Sequence, residues 1–116
     1  MSHKKQSPTE FINTIVKSNQ VVIFSKSYCP FCAKAKKLIL NIVPKSKVTV
    51  VELDQIHHGS KVQRTLGDLT GASTVPRIFI NHVFIGGCSN IVELDSTGQL
   101  KKLLTVREKS KPTKFS

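Results

Sequence analysis

Two of the three cysteines of this 116-residue chain flank a dipeptide, in the segment Cys29-Pro30-Phe31-Cys32. A thiol reacts as its thiolate, and the partial positive charge at a helix N-terminus favours that anion. Pro30 suits the first turn of a helix, because the N–H that it lacks would have no partner there. We therefore place Cys29 at the N-cap as the attacking thiol, with Lys26 adding positive charge, and Cys32 one turn later as the resolving thiol.

The same spacing has two other interpretations, half of a zinc site or a pair of ordinary buried cysteines. Zinc needs two more ligands at suitable spacing, for which the sequence offers Cys88 and the adjacent His57 and His58. Neighbouring histidines in a polar turn are usually plain surface residues. A C-x-x-C between a strand and a helix favours redox chemistry, so we expect no metal at this site.

The elements around the cysteines follow a βαβ pattern. Val21–Phe24 is a run of β-branched and aromatic residues that predicts a buried strand. Apolar residues at helical spacing follow the cysteines as far as Pro44, where we expect the helix to end. Val48–Leu53 predicts a second strand, parallel to the first. The first strand then delivers Cys29 to its carboxyl end, where the sites of open α/β sheets tend to lie.

The rest of the chain alternates turn signals with amphipathic runs. Three serines are predicted helix caps: Ser7 before the first helix, Ser60 before a helix that Gly71 closes, and Ser89 before the last helical region. Asn81-His82 predicts the turn of an antiparallel hairpin. Together these signals describe a single α/β domain.

We expect the domain to cover residues 7–105, with flexible basic segments at residues 1–6 and 106–116. No apolar stretch is long enough to span a membrane, and the first residues lack the apolar segment of a secretory signal. Three cysteines, two of them in C-x-x-C, suit a reducing compartment. The expected location is the cytoplasm.

The net charge is strongly positive, with 18 Lys and Arg against 7 Asp and Glu. The basic residues are scattered and concentrated at the two ends, and aromatic residues make up only 6% of the chain, so the pattern is not that of a nucleic-acid-binding module. We expect neither nucleic acid nor a membrane as partner. A positive field would still speed encounters with anionic substrates and would weaken as salt screens it.

Other short motifs accompany the cysteine pair in a distinctive order. Lys26 and Tyr28 precede it, and Thr74-Val75-Pro76 and Gly86-Gly87-Cys88-Ser89 follow it. Over most of the domain this series resembles the dithiol glutaredoxins of the C-P-F-C type, within the thioredoxin-like superfamily. The resemblance implies a thioredoxin-like α/β fold, in which a four-stranded mixed sheet is flanked by helices on both faces.

The resemblance also implies a function, glutathione-dependent thiol-disulfide oxidoreduction. Cys29 would attack protein–glutathione mixed disulfides, and glutathione would reduce the resulting adduct. With protein disulfides, Cys32 would resolve the intermediate, and two glutathiones would reduce the redox-active disulfide Cys29–Cys32. Glutathione is thus the expected co-substrate and glutathione reductase with NADPH the indirect electron source. The expected state is a monomer.

A set of glutathione-binding residues follows from the same motifs. In the family the Val-Pro bond is cis, so that Val75 offers its main chain to the cysteine of glutathione. Ser89 lies where a helix N-terminus receives the γ-glutamyl carboxylate. The full predicted set is Lys26, Tyr28, Gln63, Thr74, Val75, Pro76, Gly87, Cys88, Ser89 and Asn90.

Two positions depart from the family pattern. Asn90 stands where the family has an aspartate, so it keeps a hydrogen bond to the α-amino group of glutathione but loses the charge attraction. Ser73 stands where relatives often carry a basic residue. We expect weaker glutathione binding with retained activity.

Two other functions fit the same cysteines. One is a scaffold in which Cys29 and glutathione from two subunits hold a [2Fe–2S] cluster, although Pro30 stiffens the loop against it. The other is a thioredoxin-type disulfide reductase that takes electrons from a flavoprotein reductase. Tyr28 and the Gly86–Ser89 segment favour the glutathione-dependent reaction over this second alternative.

Overall fold

The computed structural model describes residues 6–106. Its helices and strands are, in chain order, α1 (Pro8–Ser18), β1 (Val21–Ser25), α2 (Pro30–Leu40), β2 (Val48–Glu52), α3 (Gly59–Thr70), β3 (Arg77–Ile80), β4 (Val83–Gly86), α4 (Cys88–Ser96) and α5 (Gln99–Thr105). Short 3₁₀ turns at Lys45–Lys47 and Leu53–Gln55 flank β2. The predicted βαβ unit is therefore followed by a helix, a hairpin and two more helices.

The four strands form one mixed sheet in the order β2-β1-β3-β4. β1 pairs parallel with β2 and antiparallel with β3, and β3 and β4 form an antiparallel hairpin. All five residues of β1 are buried, as expected of a central strand that is covered on both faces. The predicted topology, with the first two strands parallel and the last two a hairpin, is confirmed.

Because successive side chains of a strand point to opposite faces, β1 contributes to two cores. Val21 and Ile23 pack with apolar residues of α2, α4 and α5, whereas Val22 and Phe24 pack with those of α1 and α3. Phe24 also meets Phe79 of β3 edge to face, with ring centroids 5.8 Å apart. Full burial of side chains of this size stabilises the fold by about 1.5–3 kcal/mol each. The strand that leads into the cysteines is therefore firmly anchored.

The helix after the cysteines ends earlier than predicted. α2 stops at Leu40, and the N–H of Asn41 closes its last turn by donating to helix carbonyls. Pro44 instead precedes the 3₁₀ turn before β2. β2 ends at Glu52, one residue before the predicted end. Both elements therefore end before the last apolar residue of the predicted pattern.

α3 begins two residues earlier than predicted. His58 is its N-cap, at φ 66°, and Gly59 is its first residue, so the prediction that Ser60 caps this helix is wrong. The cause is packing, because a Cβ at Gly59 would lie 1.7 Å from the carbonyl oxygen of Leu53. A glycine is needed for the helix to start so close to the end of β2. Gly71 closes the helix at φ 93°, as predicted.

The predicted cap of α1 and the predicted hairpin turn are confirmed. The hydroxyl of Ser7 accepts the N–H of Glu10 at 3.1 Å, and the Glu10 carboxylate accepts the N–H of Ser7 at 2.9 Å. This reciprocal arrangement is a capping box. Asn81 and His82 have φ angles of 54° and 71°, as in the tight turns that join hairpin strands.

The predicted flexible segments, residues 1–6 and 106–116, lie outside the described residues except for Gln6 and Val106. Gln6 donates a hydrogen bond to the hydroxyl of Thr14 at 3.1 Å. Among the helices that the structure describes, none is both long enough and apolar enough to cross a membrane.

Replacing Gly59 by alanine should destabilise the fold, because the added methyl group would overlap the Leu53 backbone. We expect the free energy of unfolding, measured by urea denaturation, to fall by about 3 kcal/mol. Gly71→Ala is the matched control, since its Cβ would meet nothing within 4 Å and only its positive φ opposes the change. That control should cost about 1 kcal/mol. Equal losses in the two variants would contradict the packing argument.

Candidate active site

Cys29 is the N-cap of α2, as the sequence predicts. Its sulfur accepts the backbone N–H of Cys32 at 3.3 Å, so a helix-terminal donor that has no helical partner points at the sulfur. The side chain is half-buried and reaches the surface, whereas Cys32 is completely buried. Both residues are free thiols in this structure. The two sulfurs therefore have different surroundings although one helical turn separates them.

Burial determines the protonation of the second thiol. The pKa of Cys32 is raised from 9.0 to about 11, mainly because burial removes the thiol from water and also because of its hydrogen bond with Cys29. Hydrogen bonds with the backbone of Lys26 and the side chain of Ser25 lower the pKa by less. Cys32 is thus a protonated thiol at neutral pH, which suits a resolving residue that waits while the first sulfur reacts.

The loop before Cys29 is held by a carboxylate that the sequence analysis did not single out. Asp54 follows β2, and one of its oxygens accepts the backbone N–H of Ser27 at 2.8 Å. The other oxygen accepts the Ser27 hydroxyl. These hydrogen bonds, with a smaller contribution from the charge of Lys26, lower the pKa of Asp54. Asp54 therefore ties the end of β2 to the loop that presents the reactive sulfur.

The segment before β3 faces the cysteines across the site. The Val75-Pro76 peptide bond is cis, as the resemblance implies. The carbonyl oxygen of Val75 lies 4.0 Å from the Cys29 sulfur. Val75 precedes the strand, so its backbone has no partner in the sheet ladder. This arrangement leaves main-chain hydrogen-bonding groups next to the sulfur.

A cleft of about 300 Å³ opens beside this segment. Seven of the ten predicted glutathione-binding residues line it, together with two further residues, Phe31 and Arg77. The seven are Thr74, Val75, Pro76, Gly87, Cys88, Ser89 and Asn90. The motifs that are widely separated in the sequence are therefore brought together in one cleft.

The other three predicted residues lie outside the lining of this cleft. Lys26 and Tyr28 are on the loop before Cys29, where Tyr28 is 70% exposed. Gln63 lies on α3, and its amide donates to the carbonyl oxygen of Ser73 at 2.7 Å. Gln63 thus supports the backbone just before the Thr74–Pro76 segment.

The start of α4 differs from the sequence prediction. Gly87 is the N-cap, and the side chain of Asn90 accepts its N–H at 3.0 Å, so the prediction that Ser89 caps the helix is wrong. Asn90 can reach back because Gly86, at φ 141°, has no side chain: a Cβ there would lie 2.3 Å from the Asn90 amide oxygen. Ser89 remains in the first turn, on the wall of the cleft.

Arg77 is the residue of the cleft that sequence reasoning missed. Its guanidinium donates to the hydroxyls of Thr74 at 3.2 Å and Thr70 at 3.4 Å, and its carbon centre lies 5.2 Å from the ring centroid of Phe84. Desolvation lowers its pKa, yet an arginine stays charged at neutral pH. The signal in the sequence was a charged residue at the start of an otherwise buried strand.

A larger cleft, of about 470 Å³, lies between the starts of α1 and α3 and has no cysteine in its walls. His57 and His58 line it, with their ring centroids 3.9 Å apart. Within residues 6–106, no three His, Cys, Asp or Glu side chains are grouped so that they could hold a metal ion. Because redox chemistry needs thiols, we assign the active site to the smaller cleft and the adjoining Cys29.

Comparison with known proteins identifies the family. The family model for glutaredoxins matches residues 21–85. The chain belongs to the glutaredoxin family. Among its relatives, glutaredoxin-C8 of Oryza sativa subsp. japonica is 42% identical over 100 residues, which are 86% of this chain and 74% of the relative. The glutaredoxin of Ricinus communis is 48% identical over 91 residues, 78% of this chain and 87% of the relative.

Solved structures give the same result for the fold. The crystal structure of a buckwheat glutaredoxin–glutathione complex matches with a TM-score of 0.80 and 37% identity, over 84% of this chain and 87% of that one. The thioredoxin-like fold and the family resemblance are therefore confirmed. Glutaredoxins are glutathione-dependent oxidoreductases, so this glutaredoxin is an enzyme of that class.

Substituting Asp54 by alanine should loosen the loop before Cys29. Because a small error in the position of a reacting atom slows the reaction, we expect kcat/KM for a glutathionylated peptide to fall about fivefold at neutral pH.

The stability of the Asp54→Ala variant should also depend on pH. The Ser27 hydrogen bonds favour the Asp54 carboxylate and lower its pKa in the folded protein. Their stabilising effect is therefore present above the ordinary pKa of an aspartate and is lost as the pH falls through the lowered pKa of Asp54. The difference in melting temperature between the native protein and the variant should therefore vanish in acid.

Asp68→Ala is the matched control for this change. Asp68 is an exposed carboxylate on α3, so the variant loses the same charge without touching the loop. It should keep native activity. If both variants lost activity equally, net charge and not loop positioning would explain the effect of Asp54.

Proposed function

We propose that this glutaredoxin reduces protein–glutathione mixed disulfides through Cys29 alone and protein disulfides through Cys29 and Cys32 together. The observation that carries the proposal is the asymmetry of the two thiols. One sulfur reaches the surface and accepts a helix-terminal N–H, and the other is buried with its pKa raised to about 11. A nucleophile and a protected resolving thiol are what the two reactions require.

In the first reaction the Cys29 thiolate attacks the glutathione sulfur of a mixed disulfide. The Cys29–glutathione bond forms, the bond to the substrate protein breaks, and the protein thiolate leaves and takes up a proton. A second glutathione, as its thiolate, then attacks the glutathionyl sulfur on Cys29. Oxidised glutathione is released and the Cys29 thiolate is regenerated. Cys32 takes no part in this cycle.

In the second reaction the Cys29 thiolate attacks a protein disulfide. The substrate S–S bond breaks, a mixed disulfide with Cys29 forms, and the first substrate thiolate leaves and takes up a proton. Cys32 loses its proton and attacks the Cys29 sulfur, which releases the second substrate thiol and closes the Cys29–Cys32 disulfide. Two glutathiones reduce that disulfide in sequence. The raised pKa of Cys32 makes its deprotonation the demanding part of this route.

The cleft beside Cys29 is the proposed glutathione site. The main chain of Val75 would pair with the cysteine of glutathione, as an added strand pairs with a sheet edge. The γ-glutamyl carboxylate would lie at the first turn of α4 near Ser89. The buckwheat relative was crystallised in complex with glutathione and shares this fold, which supports the placement. Lys26 and Gln63 would serve the other end of the tripeptide.

Glutathione reductase and NADPH would supply the electrons by reducing oxidised glutathione, and the cytoplasm is the proposed location. The [2Fe–2S] scaffold and the thioredoxin-type reductase stay alternative hypotheses, and no contact in residues 6–106 favours either. A coupled assay with a small glutathionylated disulfide decides among the three. Turnover with glutathione and glutathione reductase supports the proposal, whereas turnover only with thioredoxin reductase, or a brown anaerobic protein without turnover, refutes it.

Substitution of each thiol by serine should separate the two reactions. Cys29→Ser should abolish both, since no other sulfur occupies the helix N-cap. Cys32→Ser should keep most of the deglutathionylation activity and lose at least about tenfold in the reduction of a protein disulfide. The two activities are measured side by side with a glutathionylated peptide and a disulfide-bonded protein. Activity remaining in Cys29→Ser would show that the nucleophile is misassigned.

The resolving step should depend on pH in its own way. Since the pKa of Cys32 lies at about 11, its thiolate fraction grows about tenfold per pH unit through the neutral range. The rate at which Cys32 releases a coloured aromatic thiol from a mixed disulfide on Cys29 should rise by the same factor. Stopped-flow absorbance in a Cys88→Ser background measures this rate. A rate that is constant from neutral to mildly alkaline pH would contradict the raised pKa.

A further inference from the structure

Arg77 carries a charge that no residue of the described chain neutralises. Its guanidinium contacts two threonine hydroxyls, the carbonyl oxygen of Pro76 and the Phe84 ring. Within residues 6–106, the one Lys or Arg that pairs with a carboxylate is Lys36, 2.7 Å from Glu52. Arg77 is partly buried and lines the cleft, so its charge acts in a setting with less water than the surface.

The cleft offers nothing that balances this charge. None of its nine lining residues is an aspartate or a glutamate. Asn90, at the position where the family has an aspartate, is neutral, and its amide oxygen already accepts the N–H of Gly87. Gly87 keeps the wall open towards the guanidinium, because a Cβ there would lie 3.2 Å from a terminal nitrogen of Arg77. The lining as described is therefore cationic.

The γ-glutamyl end of glutathione carries one carboxylate and one ammonium group. A cationic wall attracts the carboxylate and repels the ammonium group. We propose that Arg77 binds the γ-glutamyl carboxylate and that the ammonium group is not recognised, so this enzyme accepts γ-glutamyl-type thiols without an amino group as readily as glutathione. The inference rests on the proposed function, since it assumes that glutathione occupies this cleft. A guanidinium suits the task because it binds carboxylates through a planar pair of donors.

Two analogues of glutathione isolate the two groups. Glutaryl-cysteinylglycine keeps the carboxylate and lacks the ammonium group, whereas 4-aminobutyryl-cysteinylglycine keeps the ammonium group and lacks the carboxylate. Each is joined to the same reporter peptide as a mixed disulfide, alongside the glutathione disulfide. The native enzyme should reduce the glutathione and glutaryl substrates with kcat/KM values within about twofold of each other. The aminobutyryl substrate should be worse by about tenfold, the effect expected of one lost charge-assisted hydrogen bond.

Variants then assign the discrimination to Arg77. Arg77→Met keeps much of the apolar stem and removes the charge, so the native preference for glutathione over the aminobutyryl substrate should disappear. Arg77→Lys keeps the charge and should keep at least half of that preference. If Arg77 only tethered Thr70 and Thr74, Arg77→Met would slow all three substrates by the same factor, which would overturn the proposal. Thermal melting of each variant checks folding, and should Arg77→Met fail to fold, Arg77→Lys and the analogues carry the test.

Asn90→Asp provides the complementary test. A carboxylate at this position should restore recognition of the ammonium group and make the glutaryl substrate about fivefold worse than glutathione. An unchanged ratio would contradict the role given to Asn90.

Measurements on the native enzyme distinguish failure of the proposed function from failure of this inference. Failure to reduce any of the three substrates refutes the proposed function. Reduction of glutathione disulfides with strong rejection of the glutaryl substrate refutes this inference alone.

Discussion

A single hydrogen bond at the start of α2 separates the chemistry of the two cysteines. The Cys29 sulfur accepts the N–H of Cys32 because it occupies the N-cap, where backbone donors have no helical partner. The same turn that leaves the first sulfur at the surface carries the second into the interior. The first thiol thus gains a hydrogen-bond donor, and the second is removed from water. The difference between nucleophile and resolving thiol is a consequence of helix geometry at a spacing of three residues.

The topology of the sheet explains how the other parts of the site reach that sulfur. β1 and β3 are antiparallel neighbours, with Phe24 opposite Arg77, so the carboxyl end of β1 and the start of β3 meet at one edge. β3 and β4 are antiparallel too, with Ile78 opposite Gly86, so the end of β4 arrives at the same edge. The cysteine loop, the Val75-Pro76 bond and the first turn of α4 follow from this register. A parallel β3 would have sent the last two to the opposite edge.

The parts of this arrangement that depend on local patterns were predictable from the sequence. The apolar run of β1, the N-cap position of Cys29 and the hairpin turn each rest on a few adjacent residues. The caps of α3 and α4 were not predictable. They depend on close contacts that only a glycine allows, between Gly59 and the Leu53 backbone and between Gly86 and the Asn90 side chain. Asp54 was not predicted because its partner Ser27 is distant in sequence. Arg77 was not predicted because the cleft that it lines exists only in the folded protein.

Two charged side chains of the site, Asp54 and Arg77, differ in the partners that the protein gives them. The Asp54 carboxylate is engaged by two donors of Ser27, and this engagement lowers its pKa. The Arg77 guanidinium meets only hydroxyls, a carbonyl and a ring among the described residues, so its charge remains unbalanced although burial lowers its pKa. A charge that is partly removed from water is screened less than one on the surface. One arginine in the cleft can therefore influence a bound carboxylate more than the solvated lysines that dominate the net charge of +11.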